Sequence, residues 1–163
     1  PGVSAPLGFF DPLRFSTKAS EAKFKFYQEA EIKHGRVAML AALGFPIAEQ
    51  YHPLWGGHID VPSYMAFQVS PLQTNWFNVI LFIAIFEAFS TFTFNNPFKG
   101  YELWTIKESH EPGNFDFDPL KLKPSGEIES YKMKTREINN GRLAMIAIVI
   151  MVLQELVTQD KLF

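Results

Sequence analysis

The chain states one motif twice. EIKHGRVAML runs from Glu31 to Leu40, and EINNGRLAMI from Glu137 to Ile146. Each has a Phe-Asp-Pro-Leu sequence upstream, at Phe10–Leu13 and at Phe117–Leu120. Each leads into a strongly apolar run. One unit at 9–50 therefore recurs at 115–158, with a lone apolar segment at 75–94 between the copies. Duplication around a spare helix predicts a pseudo-two-fold pair of helices. It also sets a demand on any fold. Glu31, Arg36, Glu137 and Arg142 stand at the mouths of apolar helices and must find partners there.

Three segments are expected to be helical and to reach across a bilayer. The first runs from about Ser20 to Gln50, the second from Asn75 to Phe94, the third from Glu127 to about Thr158. A spanning helix needs roughly 20 apolar residues, and the second segment meets that most cleanly. The first and third qualify if their charged motif enters the apolar layer. Helices of about 30 residues are some 45 Å long, so tilt and a polar extension are expected. The connecting stretches hold Trp and Tyr, which suit a membrane interface. The expected class is an all-α membrane protein of three helices, with helices one and three crossed.

Composition narrows the function. The 163 residues suit one domain, 1–163, and 47% apolar content with 17 Phe gives much to bury. Charged residues, at 20%, are too many for a bundle that lies wholly within the bilayer. A net charge of −2 gives no reason to expect nucleic acid as a partner. Without cysteine there is no disulfide framework and no thiolate metal site. The first ten residues lack the basic and apolar regions of a signal peptide; the chain either had none or is a processed one.

On one helix Glu31 and Arg36 lie about 140° apart, poorly placed to pair. Charges in a bilayer normally pair inside the bundle. If helices one and three cross as symmetry mates, Glu31 meets Arg142 and Arg36 meets Glu137. Small residues at Gly35, Ala38, Ala42, Gly141, Ala144 and Ala147 would allow close approach. Pairing leaves one carboxylate oxygen over. His34 follows Glu31, and Asn140 follows Glu137, at the i+3 spacing of a shared helix face; Gln154 continues the Asn140 stripe. Such oxygen donors suit Mg²⁺. Single ligands scattered along helix faces fit tetrapyrrole magnesium better than a clustered metal site. The plain alternatives stay open: Glu–Arg pairs that only hold helices together, and amides that hydrogen-bond a neighbour.

With its double motif and Phe-Asp-Pro-Leu turns, the chain resembles the light-harvesting chlorophyll a/b- and a/c-binding family over most of its length. The resemblance implies a plastid thylakoid antenna, multi-pass, that absorbs light and passes excitation to a photosystem core, photosystem I or II, beside other antenna subunits and membrane lipids. It implies no catalysis. It implies axial chlorophyll ligands at Glu31, His34, Glu87, Glu137, Asn140 and Gln154, with Arg36 and Arg142 closing the ion pairs. The turns around Asp11 and Asp118 would seat the ends of two carotenoids.

The chain departs from the green pattern. Green members follow the middle-helix Glu with an Arg at i+3, where this chain has Ser90, and carry a Gln where it has Val79 beside Asn78. The chain as given is also expected to lack the green members' short C-terminal helix with its His. These features point to chlorophyll a/c antennae of red-lineage algae, closer to dinoflagellate or cryptophyte types than to the diatom one. Chlorophyll a, chlorophyll c and a xanthophyll of the peridinin, fucoxanthin, diadinoxanthin or alloxanthin type are the expected cofactors. His52, His58, His110, Gln50, Gln73 and Asn78 are weaker ligand candidates. One rival is a photoprotective, energy-dissipating relative, with Glu49, Asp60 and His52 as acid sensors. A small transporter is another, but it predicts a broken helix that the sequence does not suggest. A soluble enzyme fails on the apolar run Val79–Phe86 and the lack of a nucleophile arrangement.

Overall fold

The computed structural model describes residues 1–4, 6, 8–51, 60–70, 72–95, 98, 103–115, 118–119 and 121–162. His52, His58, Phe117 and Leu120 lie outside the described residues. A short helix α1 (Phe15–Lys18) leads into α2 (Glu21–Tyr51), and a 3-10 turn (Ser63–Gln68) precedes α3 (Leu72–Thr91) and α4 (Glu127–Thr158). Among the described residues there is no strand, only isolated bridges at Ser4–Gly8 and Phe94–Ile106.

Local chemistry accounts for the ends. The Ser20 hydroxyl accepts the Lys23 amide at 3.4 Å, a side-chain cap on an otherwise unpaired donor. Glu127 and Glu129 place negative charge in the first turn of α4, where the helix dipole favours it. Gln159 closes α4 in the left-handed region, φ 60°, its amide bonding the Glu155 carbonyl at 2.8 Å. Pro46 lies inside α2, which continues to Tyr51.

The middle helix spans 72–91, not the expected 75–94. Hydroxyls of Ser90, Thr91 and Thr93 accept no further turn: each donates to the carbonyl three residues back, at 2.7–2.8 Å. Such bonds compete with the helical ladder. Among the described residues α4 is long and apolar enough to cross a membrane, and α3 runs over 20 residues with Glu87 as its one charged residue. The first half of α2 carries Glu21, Lys23, Lys25, Glu29, Glu31, Lys33 and Arg36, which keeps it below that mark.

Helices α2 and α4 pack on one another. At their closest approach, a Cβ added to Gly35 would stand 3.0 Å from the Gly141 Cα, and one added to Gly141 would stand 2.9 Å from the Gly35 Cα. Only glycine on both helices admits that contact. The segment after α3 folds back onto the start of α2. The Ile106 amide bonds the Ala22 carbonyl at 3.3 Å, and Phe26 meets Phe94 and Trp104 ring to ring.

What is buried is unusual. Among the described residues the buried hydrophobic side chains are Ala38 and Ile106, while Leu40, Phe77, Phe82, Phe86, Leu143, Ile146, Val149 and Ile150 are exposed. The helix faces present large apolar surface that the described residues do not cover.

Candidate functional site

Two ion pairs flank the glycine contact. Arg142 Nε lies 2.7 Å from Glu31 Oε1, and Arg36 Nε lies 2.7 Å from Glu137 Oε1. Each guanidinium also donates to a glycine carbonyl outside the helices: Arg142 to Gly2 at 2.7 Å, Arg36 to Gly113 at 3.0 Å. Both glycines have positive φ, +85° and +78°. A Cβ on Gly2 would press on Ile138, and one on Gly113 on Ile32. The duplicated sequence thus yields the same set of contacts twice. All four charged side chains are half-buried.

Among the described residues, Oε2 of Glu31 and of Glu137 has no hydrogen-bond partner. Each carboxylate therefore offers one neutralised and one open oxygen. The His34 ring lies beside them on α2. Its Nδ1 is 2.7 Å from the Ala30 carbonyl. A carbonyl only accepts, so Nδ1 carries the proton and Nε2 presents a lone pair outward, the arrangement common to metal-ligating histidines. Asn140 and Gln154 are exposed on α4. Glu87 is exposed on α3 and bonded through Oε2 to Lys33 of α2 at 2.8 Å. These donors are spread along three helices. Among the described residues no cluster of His, Asp and Glu could hold a bare metal ion. Single hard donors on apolar faces fit one axial bond each to a macrocycle-bound magnesium.

The two aspartates act on the backbone. Asp11 Oδ1 accepts the Phe15 amide at 3.0 Å and Oδ2 the Ser16 amide at 2.9 Å. Asp118 Oδ1 accepts the Leu122 amide at 3.0 Å and Oδ2 the Lys123 amide at 2.9 Å. Arg14 and Lys121, three residues on, both sit in the left-handed region, at φ 55° and 51°. For Asp11 the Ser16 hydroxyl, and for Asp118 the Lys123 and Leu122 amides, hold the carboxyl below its ordinary value. Each turn borders a cavity that one of the ion pairs also lines. One, about 1080 Å³, is lined by Phe10, Asp11, Phe15, Tyr27, Glu31 and Arg142. The other, about 630 Å³, is lined by Phe115, Asp118, Leu122, Arg36, Glu137 and Ile138.

The weaker candidates fall elsewhere. His110 is engaged with buried Glu29, Nε2 to Oε2 at 3.3 Å, and the Gly113 amide bonds the same oxygen at 2.6 Å. Asn78 bonds Asn75 at 3.4 Å. Asp60 pairs with Lys161. Glu49 is buried, accepting from Ser63 N and Oγ at 3.1 and 2.8 Å and from the Leu162 amide at 2.8 Å. Its carboxyl meets that of Glu155, whose Oε2 accepts the Tyr64 amide at 2.9 Å. Sequence reasoning considered Glu49 but missed Glu155 and Lys33. Glu155 stands 106 residues after Glu49, the offset that also relates Glu31 to Glu137, so the duplication makes the two glutamates counterparts; their burial is what the structure adds.

A helical chain with a glycine contact, reciprocal Glu–Arg pairs and isolated oxygen and nitrogen donors spread along its helices has the features that suit single axial bonds to tetrapyrrole magnesium. Residues 1–156 match the chlorophyll A-B binding protein family, and the chain belongs to it. It is 43% identical over 169 residues to light-harvesting complex stress-related protein 3.2, chloroplastic, of Chlamydomonas reinhardtii, covering 100% of this chain and 65% of that protein. It is 37% identical over 165 residues to a fucoxanthin-chlorophyll a-c binding protein, chloroplastic, of Isochrysis galbana, covering 98% of this chain and 77% of that one. Over 44 residues, 27% of this chain and 43% of the relative, it is 57% identical to a caroteno-chlorophyll a-c-binding protein of Amphidinium carterae. The chain spans just under two thirds of the length of the stress-related relatives.

Proposed function

We propose that this chain is a light-harvesting antenna domain, 1–163, of the plastid thylakoid membrane. It binds chlorophylls and carotenoids and passes excitation to a photosystem core, beside other antenna subunits and within membrane lipid. In this reading α2, α3 and α4 all span the bilayer, and α2 crosses α4 about a pseudo-two-fold axis. The observation that carries it is the pair of reciprocal Glu–Arg bridges, each leaving one carboxylate oxygen open.

The magnesium ligands are Glu31 and His34 on α2, Glu87 on α3, and Glu137, Asn140 and Gln154 on α4. Bound chlorophyll supplies absorption and excitation transfer. The chain's residues supply position: the ion pairs fix two ligands to the helix contact, and the Ala30 carbonyl fixes the ring of a third. Rigid placement matters because transfer must outrun decay. No bond is made or broken in that work. The Asp11 and Asp118 turns shape the outer ends of the two cavities, where carotenoids would rest. The cofactors are chlorophyll a, chlorophyll c and a xanthophyll, a reading supported by the fucoxanthin-chlorophyll a-c and caroteno-chlorophyll a-c-binding relatives.

A second reading, dissipation of excitation under acid conditions, is favoured by the buried Glu49–Glu155 contact and by the stress-related relatives. Two carboxylates in contact repel unless one is protonated.

Chromatography of pigments from the protein isolated in mild detergent tests the main reading. Chlorophyll a, chlorophyll c and a xanthophyll are expected. Chlorophyll b would replace the a/c assignment, and an absence of pigment would make the Glu–Arg bridges purely structural. Fluorescence lifetime followed as pH falls separates the readings: an unchanged lifetime favours harvesting, a shortened one dissipation.

A further inference from the structure

A third carboxylate repeats the pattern of the two bridges, with a cation that no spacing rule relates to it. Glu87 Oε2 lies 2.8 Å from Lys33 Nζ on α2 and accepts the Ser90 hydroxyl at 3.0 Å. Among the described residues Glu87 Oε1 has no partner. The Glu87 side chain is 57% exposed, among exposed Ile83, Ile85 and Phe86. Its open oxygen therefore lies on an apolar face. Glu31 with Arg142 and Glu137 with Arg36 show two of these features: one oxygen on a cation from another helix and one oxygen open.

A chlorophyll macrocycle is uncharged overall, since its dianionic ring balances Mg²⁺. A carboxylate ligand therefore brings an uncompensated negative charge into the apolar layer, which is unfavourable unless it is paired. A neutral ligand such as His34 or Asn140 has no such need. Lys33 is itself a charge within α2, only 26% exposed, and Glu87 is its one ion-pair partner among the described residues.

We propose that Lys33 is the positioning residue for a chlorophyll on the middle helix: it neutralises Glu87 from α2 and so allows that carboxylate to serve as an axial ligand. The assignment rests on the proposed role of Glu87, and the experiment keeps the two apart.

Variants would be reconstituted in detergent with the pigment mixture extracted from the wild-type complex, and chlorophylls per protein counted alongside the low-temperature absorption difference spectrum. Glu87→Leu is expected to lose one chlorophyll and a single absorption component. Lys33→Met is expected to lose the same component, and Lys33→Arg to keep it. Glu87→His removes the charge but keeps a ligand, so Glu87→His with Lys33→Met is expected to retain that chlorophyll. A mere tether between α2 and α3 would be broken in this double variant as in Lys33→Met. Loss from the double variant with retention in Glu87→His alone would therefore overturn the proposal. So would a full chlorophyll count in Lys33→Met when Glu87→Leu has lost one. A full count in Glu87→Leu would overturn the ligand role of Glu87, and the proposal with it.

Discussion

At the scale of single residues, the site works by dividing one carboxylate between two tasks. Arg142 holds one oxygen of Glu31 and leaves the other open; Arg36 does the same for Glu137. Arginine suits this because its charge cannot be lost and its planar fork reaches a second acceptor, here the Gly2 or Gly113 carbonyl. Replacing Arg142 with Leu strands Glu31 without a counter-charge and frees the N-terminal segment. Breaking one partner of a desolvated pair costs about 3–5 kcal/mol. A lowered melting temperature and yield of the pigment complex are expected, and wild-type melting would count against the crossed bridge. The pairing was legible from the duplicated sequence, because symmetry alone offers each charge a partner. The Glu87–Lys33 pair was not, since it joins two helices that the repeat does not relate.

At the scale of elements, helix contact and turn shape do separate work. Nothing but backbone faces the missing side chain of Gly141, so Gly141→Ala must push α2 away. Overpacking of this kind costs about 1–3 kcal/mol, readable as a lower melting temperature of the complex. Gly44 is the control. A Cβ there meets nothing within 4 Å, and Ala is the better helix former by up to ~1 kcal/mol, so Gly44→Ala is expected to melt at or above wild type. The turns make a pH prediction. The Asp11 and Asp118 carboxyls are held below their ordinary values by hydroxyl and amide donors. Their stabilisation is complete above the ordinary aspartate range, about pH 4, and is lost as pH falls through the lowered values. Limited proteolysis near the turns should quicken at the acid end of a titration, and Asp118→Asn should remove that step at the second turn. An acid response unchanged in Asp118→Asn would count against the carboxylate as its cause. Sequence showed that the two Phe-Asp-Pro-Leu segments correspond. It did not show that the aspartate oxygens are occupied by backbone, because a turn's amide directions follow from its φ and ψ.

At the scale of the whole molecule, the described residues do not form the apolar interior that usually holds a protein together. Hydrophobic burial is the main favourable term in folding, yet the described residues bury few apolar side chains against one another. Ligands that bind only the folded form then set its stability by mass action. Extraction of pigment from the detergent-solubilised complex is expected to abolish cooperative thermal unfolding by circular dichroism. A cooperative transition that survives extraction would mean that the chain packs a sufficient core of its own.

The helical class, the positions of the three long helices to within a few residues, and the reciprocity of the Glu–Arg pairs were all written in the sequence. Apolar run length, helical spacing and duplication are local or repeated properties, visible without coordinates. Tertiary structure decided the rest. It set which of the small residues meet, Gly35 with Gly141, the reach of Lys33 to Glu87, the burial of Glu49 and Glu155, and the end of α3 at its run of hydroxyls. Each depends on how far apart two helices lie and which faces they turn to one another. Packing settles those quantities, and a linear order of residues does not state them.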